Sequence, residues 1–182
     1  LDYVASGPAL VRLHDHLVRD RVPYEALARV LAPLRRRYAY ILLDCAPTFT
    51  SISHQALVAA DGCIVPVTPH FLALEGMKNL LHTVAHVEQE TVPLAPIWGI
   101  ALTMVDGRYP STRRNVADLR AAYGDLVFQA EIPFNIQLAE APASGKPIFA
   151  YAARSGATRS YWALSKELSR RVARRQARPA WG

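Results

Sequence analysis

The chain has little cysteine. Two residues, Cys45 and Cys63, stand apart and form no C-x-x-C or zinc-ligand spacing. That excludes a disulfide scaffold or a structural zinc site and fits a reducing compartment. No apolar run approaches the roughly 18–20 residues needed to cross a bilayer, and the N-terminus shows no leader pattern. The G-x-S-x-G nucleophile elbow is absent, as is H-E-x-x-H. His82 and His86 are spaced i, i+4 with Glu90 a turn on, but Thr83 stands where a metalloprotease has its Glu; a solvated helix face explains them. Nothing in the sequence activates Cys45 as a nucleophile, and Cys63 reads as core.

What is present is an ordinary globular composition. The 182 residues are 51% hydrophobic and 20% charged, with 9 Gly and 13 Pro, which excludes disordered, collagen-like and low-complexity classes. The length suits a single domain over 1–182. Charge is uneven: residues 166–182 carry six Lys/Arg against one Glu, while 1–165 carry 15 basic and 14 acidic residues. A near-neutral body with a basic end points to a polyanion, either nucleic acid or an anionic membrane. The chain starts at Leu1 rather than Met and runs directly into LDYVA; the expectation is a fragment or a processed chain.

Strand-like and helix-like segments alternate. LDYVAS (1–6), AYILLDC (39–45), GCIVPV (62–67), 97–105 and LVFQAEI (126–132) read as strands. The 39–45 run is continuously apolar, as in a strand buried on both faces, and Pro66 argues against a central ladder position for 62–67. Helices are expected over 8–20, 24–38 with a kink at Pro33, 51–60, 72–90, 111–123 capped by Ser111 or Thr112, and about 155–178. The stretch 134–147 reads as mostly loop. Strands alternating with helices of this length imply βαβ units and a parallel sheet.

The strongest local motif is YILLDCAPT (40–48), an apolar strand ending in Asp44 and a Pro-containing turn. In doubly wound sheets the functional crevice lies at the carboxyl ends of strands. An Asp there suits a hydrated magnesium ion beside a phosphate, as in a Walker B motif; equally, many parallel strands end in a polar turn residue. The chain has no G-x-x-x-x-G-K-S/T. Gly145-Lys146 comes nearest, but Pro147 follows it and Glu140 stands where the first Gly belongs.

At this point a family resemblance becomes specific. Residues 38–81, YAYILLDCAPTFTSISHQALVAADGCIVPVTPHFLALEGMKNLL, resemble the Walker B and switch II region of the ParA/Soj partition ATPases, relatives of MinD. ALTMVDGR (101–108) and EIPFNIQLAEAPASGKPIFAY (131–151) resemble two further family segments in the same order, and the likeness runs from about Leu1 to about Arg170. It implies an α/β, P-loop NTPase-like three-layer fold with a mostly parallel sheet, lacking its N-terminal strands and the deviant Walker A motif K-G-G-x-G-K-S/T that the family carries upstream. It implies ATP and Mg2+ as cofactors. Asp44 matches the Walker B aspartate that organises magnesium and the attacking water. Cys45, Ala46, Pro47 and Thr48 match switch II, with Ala46 in place of a family proline. Thr103, Met104 and Asp106 match the strand end near the nucleotide base, and Pro133, Phe134 and Asn135 the loop around the adenine. Phe134 stands where the family commonly has Arg. The basic segment D-P-K/R-S-K/R-G is reduced to AARSGA (152–157), which keeps Arg154.

Arg171, Arg174, Arg175 and Arg178 fall at i, i+3, i+4 and i+7, opposite a seam of Tyr161, Leu164, Leu168 and Val172. The stripe reads either as a solvated face or as a phosphate-binding one. The resemblance implies the second, with Arg113, Arg114, Lys146, Arg154 and Arg159 as further DNA candidates. Beyond Val172 only Ala173, Ala177, Ala180 and Trp181 are apolar, too thin a face for a membrane helix. The resemblance implies a partition ATPase of the cytoplasm and nucleoid that forms an ATP-dependent homodimer, binds DNA without sequence specificity and answers to a ParB-like partner. Two alternatives stay open: a non-enzymatic regulator or DNA-binding remnant without Walker A, and a MinD-like cargo-positioning ATPase.

Overall fold

A computed structural model describes residues 1–46, 50–70, 75, 77 and 93–176, the side chains of Val11 and Gln176 apart. The chain forms two compact units, one of residues 1–63 and 80–96, the other of 64–79 and 97–182.

Among its described residues the first unit holds three α-helices: α1 (Ala9–Arg19), α2 (Ala26–Leu31) and α3 (Ser51–Ala59). Pro8 stands at the cap of α1, where its missing N–H costs nothing. Pro33 ends α2, and the chain continues only as a 3₁₀ turn over Leu34–Arg36. The expected kinked helix is therefore two pieces. Thr50 opens α3 with a reciprocal capping pair. The Ser53 amide donates to Thr50 Oγ1 at 3.4 Å, and the Thr50 amide to Ser53 Oγ at 2.7 Å. Ser53, His54, Gln55, Ala56 and Ala59 are buried. The Tyr24 ring stacks on His54 with centroids 3.9 Å apart, and burial lowers the His54 pKa. Arg35 closes the other end of α3, donating to the Ala59 carbonyl at 2.9 Å and to Asp61 at 3.0 Å.

Neither strand expected in this unit forms. Residues 1–6 and 39–46 carry no regular structure, and Leu42 is 83% exposed. A strand buried on both faces needs hydrogen-bonding neighbours to satisfy its backbone. Among the described residues, none pairs with 39–45.

The second unit is built on a sheet of β1 (Cys63–Val67), β2 (Ile97–Val105) and β3 (Val127–Pro133), in the order β1-β2-β3. Strands β2 and β3 run parallel. Exposed Pro66 lies on β1, at an edge among the described strands, where a missing N–H is tolerated. Central β2 is buried from Gly99 to Leu102, as its unbroken apolar run requires.

Four helices follow: α4 (Pro110–Tyr123), α5 (Ile136–Ala143), α6 (Ile148–Tyr151) and α7 (Gly156–Gln176). Helix α4 is entered through Tyr109 with Pro110 in its first turn, and no side chain caps it. Ser111 and Thr112, the expected caps, lie inside the helix, and Thr112 is buried. The stretch expected to be loop contains α5. Asn135 caps it, its side chain accepting the Gln137 amide at 2.8 Å, and Pro142 comes only in the last turn. The helix expected over 72–90 lies outside the described residues except for Glu75 and Met77, both helical, with Met77 buried.

Helix α7 is fastened to the sheet by polar contacts. The Glu167 carboxylate accepts the amides of Gln129 at 2.9 Å and Ala130 at 3.1 Å. Arg171 donates to Glu167 at 2.8 Å and to the carbonyls of Trp98, Leu126 and Val127 at 3.0, 3.1 and 3.3 Å. Its guanidinium also lies 4.0 Å from the centre of the fully buried Phe128 ring. Gly99 makes this possible. A Cβ there would sit 2.3 Å from the Phe128 ring and 2.9 Å from Arg171, so only glycine lets the ring lie against β2.

Candidate functional site

The sequence-predicted residues fall in both units. In the first, Asp44 is exposed and its carboxylate makes no described hydrogen bond or ion pair. Cys45 is exposed, with its sulfur 3.7 Å from the Leu43 carbonyl oxygen. Partial desolvation, and then the Asp44 charge, raise the Cys45 thiol pKa, the opposite of what an activated nucleophile needs. Cys63, expected in the core, is half-buried. Pro47 and Thr48 lie outside the described residues, as do His82, His86 and Glu90.

In the second unit the structure brings the two strand-end groups together. Val105 is in register with Pro133, and the Phe134 amide donates to the Val105 carbonyl at 3.0 Å. Thr103, Met104 and Asp106 thus lie at the carboxyl end of β2, beside Pro133, Phe134 and Asn135 at the end of β3. This is where parallel α/β sheets place their ligand crevice.

The register also shows how the chain bends there. Leu102 pairs with Glu131 and Val105 with Pro133, so β2 carries one more residue than β3 across this step. Met104 takes a left-handed conformation, φ 52°, and is exposed. A bulge with a non-glycine residue at positive φ holds local strain, and bulges of this kind re-aim strand ends next to functional sites. Exposed Met104 and Phe134 together offer an apolar surface at the two strand ends.

Asp106 is held by a residue the sequence reading did not assign. Arg108 Nε donates to Asp106 Oδ1 at 2.9 Å, Nη2 to Oδ2 at 2.6 Å, and its amide to Oδ1 at 3.1 Å. These bonds lower the Asp106 pKa to about 2, so it stays ionised through the neutral range. The pair sets the turn from β2 into α4. The only local signal for it was an Asp and an Arg two residues apart around a Gly.

The basic candidates divide by environment. Arg114, Lys146, Arg174 and Arg175 are exposed, with no described partner. Arg113 donates to the Gly107 carbonyl, and Arg159 to the Arg154 carbonyl at 2.8 Å, both from exposed positions. Arg171 is different: its donors are taken by Glu167 and three backbone carbonyls. The stripe read from helical spacing is therefore split, with Arg171 turned to the sheet, Arg174 and Arg175 facing out, and Arg178 outside the described residues. In the opposing seam Val172 is buried, Leu164 and Leu168 are half-buried, and Tyr161 is exposed.

This sheet, with a candidate crevice at its strand ends, belongs to the P-loop NTPase-like α/β class. McdA from Cyanothece in its ATP complex superposes with a TM-score of 0.76 over 88% of this chain and 63% of that one, at 17% identity. A family model described as an AAA domain matches residues 1–95. The chromosome partitioning protein ParA of Caulobacter vibrioides is 37% identical over 79% of this chain and 54% of its own length. The sporulation initiation inhibitor protein Soj of Bacillus subtilis is 36% identical over 93% of this chain and 67% of its own. The chain belongs to the ParA/Soj family. It spans between about half and two thirds of the length of these curated relatives.

Proposed function

We propose that this chain is part of a ParA-like ATPase that acts in chromosome or plasmid partition. It would work through ATP-dependent dimerisation and non-specific DNA binding, in the cytoplasm at the nucleoid, with a ParB-like protein that stimulates hydrolysis. The observation that carries the reading is that Asp44 is exposed, with no described partner for its carboxylate, which supports the Walker B role that the resemblance implies for it. Among the described residues no group of three or more His, Cys, Asp or Glu could hold a metal. Magnesium at a phosphate site needs only one or two carboxylates besides phosphate and water oxygens. A single free carboxylate therefore fits the role. When bound, Mg2+–ATP supplies the phosphoryl group to be transferred.

The chain's own residues then have separate tasks. Asp44 would hold the cation through its hydration shell and so help to place the attacking water. Met104 and Phe134 present apolar surface to the base, and the bulge at Met104 aims that surface. Arg108 fixes Asp106 and with it the turn. Arg174 and Arg175, with Arg113, Arg114, Lys146, Arg154 and Arg159, give DNA phosphates their counter-charge. No helix among the described residues is long and apolar enough to cross a membrane. Asp44→Ala in the protein that carries this chain should abolish ATP turnover, followed as phosphate release. Unchanged turnover would overturn the assignment.

A further inference from the structure

We propose that a groove between α7 and the outer edge of β3 binds single-stranded nucleic acid, stacking an unpaired base on Trp162 while Lys166, Arg170 and Arg159 hold the phosphates. The proposal rests on the nucleic-acid reading of α7 and adds the strand form and, beside Arg159, three further residues.

Arg159, Trp162, Lys166 and Arg170 are spaced by three, four and four residues, so they form one strip along α7. It is not the strip of Arg171, Arg174 and Arg175. It faces Gln129 and Ala130 of β3 across an open groove of about 1100 Å³, the size of a ligand site. Trp162 is 55% exposed, unusual for so large an apolar side chain. Phe149 meets it edge-on, with centroids 5.2 Å apart and planes at 68°, and supports one side of the indole.

The charge of the groove selects an anion. Lys166 and Arg170 make no described hydrogen bond or ion pair. Glu167, the acid in the lining, is already balanced by Arg171 at 2.8 Å. An acidic peptide would share that charge preference. However, a peptide adding to a sheet edge relies on the strand's main-chain groups, and the Gln129 and Ala130 amides are already bound to Glu167. A base needs no main-chain partner. An aromatic platform flanked by cations is the general device for holding a single strand, because every base has a face to stack. A duplex keeps its bases paired and can use only the cations.

The test is titration of the full chain with an oligothymidylate of about 20 nucleotides and with a duplex of the same length, by anisotropy and Trp emission. The single strand should bind more tightly and quench emission. Trp162→Ala should weaken single-strand binding about ten- to a hundredfold and leave duplex binding within about twofold. Trp162→Phe should retain most of the affinity. Lys166→Ala and Arg170→Ala should each lower the single-strand salt slope by about 0.7. Far-ultraviolet circular dichroism of each variant checks folding. Equal loss for both strand forms, or no loss with Trp162→Ala, would overturn the proposal. So would competition by polyglutamate as strong as by oligonucleotide, which would give the groove to an acidic protein segment. If the groove variants change nothing while Arg174→Ala and Arg175→Ala weaken duplex binding, the groove is wrong and the partition reading stands. If neither strand form binds, both fall.

Discussion

Residues 39–43 and 97–102 are both apolar runs, yet they end differently. In the second unit, 97–105 is the middle strand of a sheet, flanked by β1 and β3 and buried from Gly99 to Leu102. In the first, 39–45 lies in irregular chain, with Leu42 83% exposed. The difference is in the neighbours: β2 pairs its backbone groups with strands on either side, whereas among the described residues none pairs with 39–45. An apolar run states what a segment can do in a sheet; the sheet decides whether it does.

The comparison can be broken most directly at Phe128, fully buried between Gly99 and Arg171. Phe128→Ala should cost about 3–5 kcal/mol, read from urea denaturation. A loss near zero would mean that the second unit is no better packed than the first. Arg171→Ala comes next. It strips a donor from Glu167 and three carbonyls and should cost about 1–3 kcal/mol, with little change in the salt dependence of duplex binding. Arg174→Ala should do the reverse.

Glu167 adds a pH signature. Burial pushes its carboxyl pKa up, but the Gln129 and Ala130 amides and the Arg171 guanidinium outweigh this and lower it. A carboxylate depressed on folding stabilises above its unfolded pKa, near about 4.3, and that stability is lost as pH falls through the lower folded value. Glu167→Gln should therefore flatten the acid limb of a denaturation-midpoint profile; an unchanged limb would show that the clamp contributes nothing. The smallest effect is expected at Leu42. Leu42→Ser should change stability by less than about 0.5 kcal/mol, and a larger loss would show that the 39–45 run is buried after all.

Much of the second unit was legible because its signals are local. The apolar run of β2, the loose alternation of β3 and the long amphipathic terminal helix each appear within a short window, and all three formed. Helix α5 was missed because Pro142 and the Gly145-Lys146-Pro147 turn dominate the stretch, while its start depends on one side-chain bond from Asn135. The α4 cap was misread because Ser111 and Thr112 suggest a side-chain cap, whereas Pro110 sets the entry through its fixed φ. At the site, the strand-end groups could be named from sequence, but their meeting needed the parallel register of β2 and β3. The bulge at Met104 has no local signature, since nothing about Met favours positive φ.

The residues alone pointed to the family, to the strands and terminal helix of the second unit and to a basic C-terminal end, because each is a pattern along the chain. The fold decided which apolar run lies inside, which arginine faces the sheet and which basic strip borders a groove with Trp162. Those outcomes depend on partners far away in sequence: Arg171 and the Trp98 carbonyl are separated by 73 residues and meet at 3.0 Å. Helical spacing placed Arg171 with Arg174 and Arg175. Only the sheet beneath α7 separates them, by offering Arg171 the carbonyls and carboxylate that its neighbours lack.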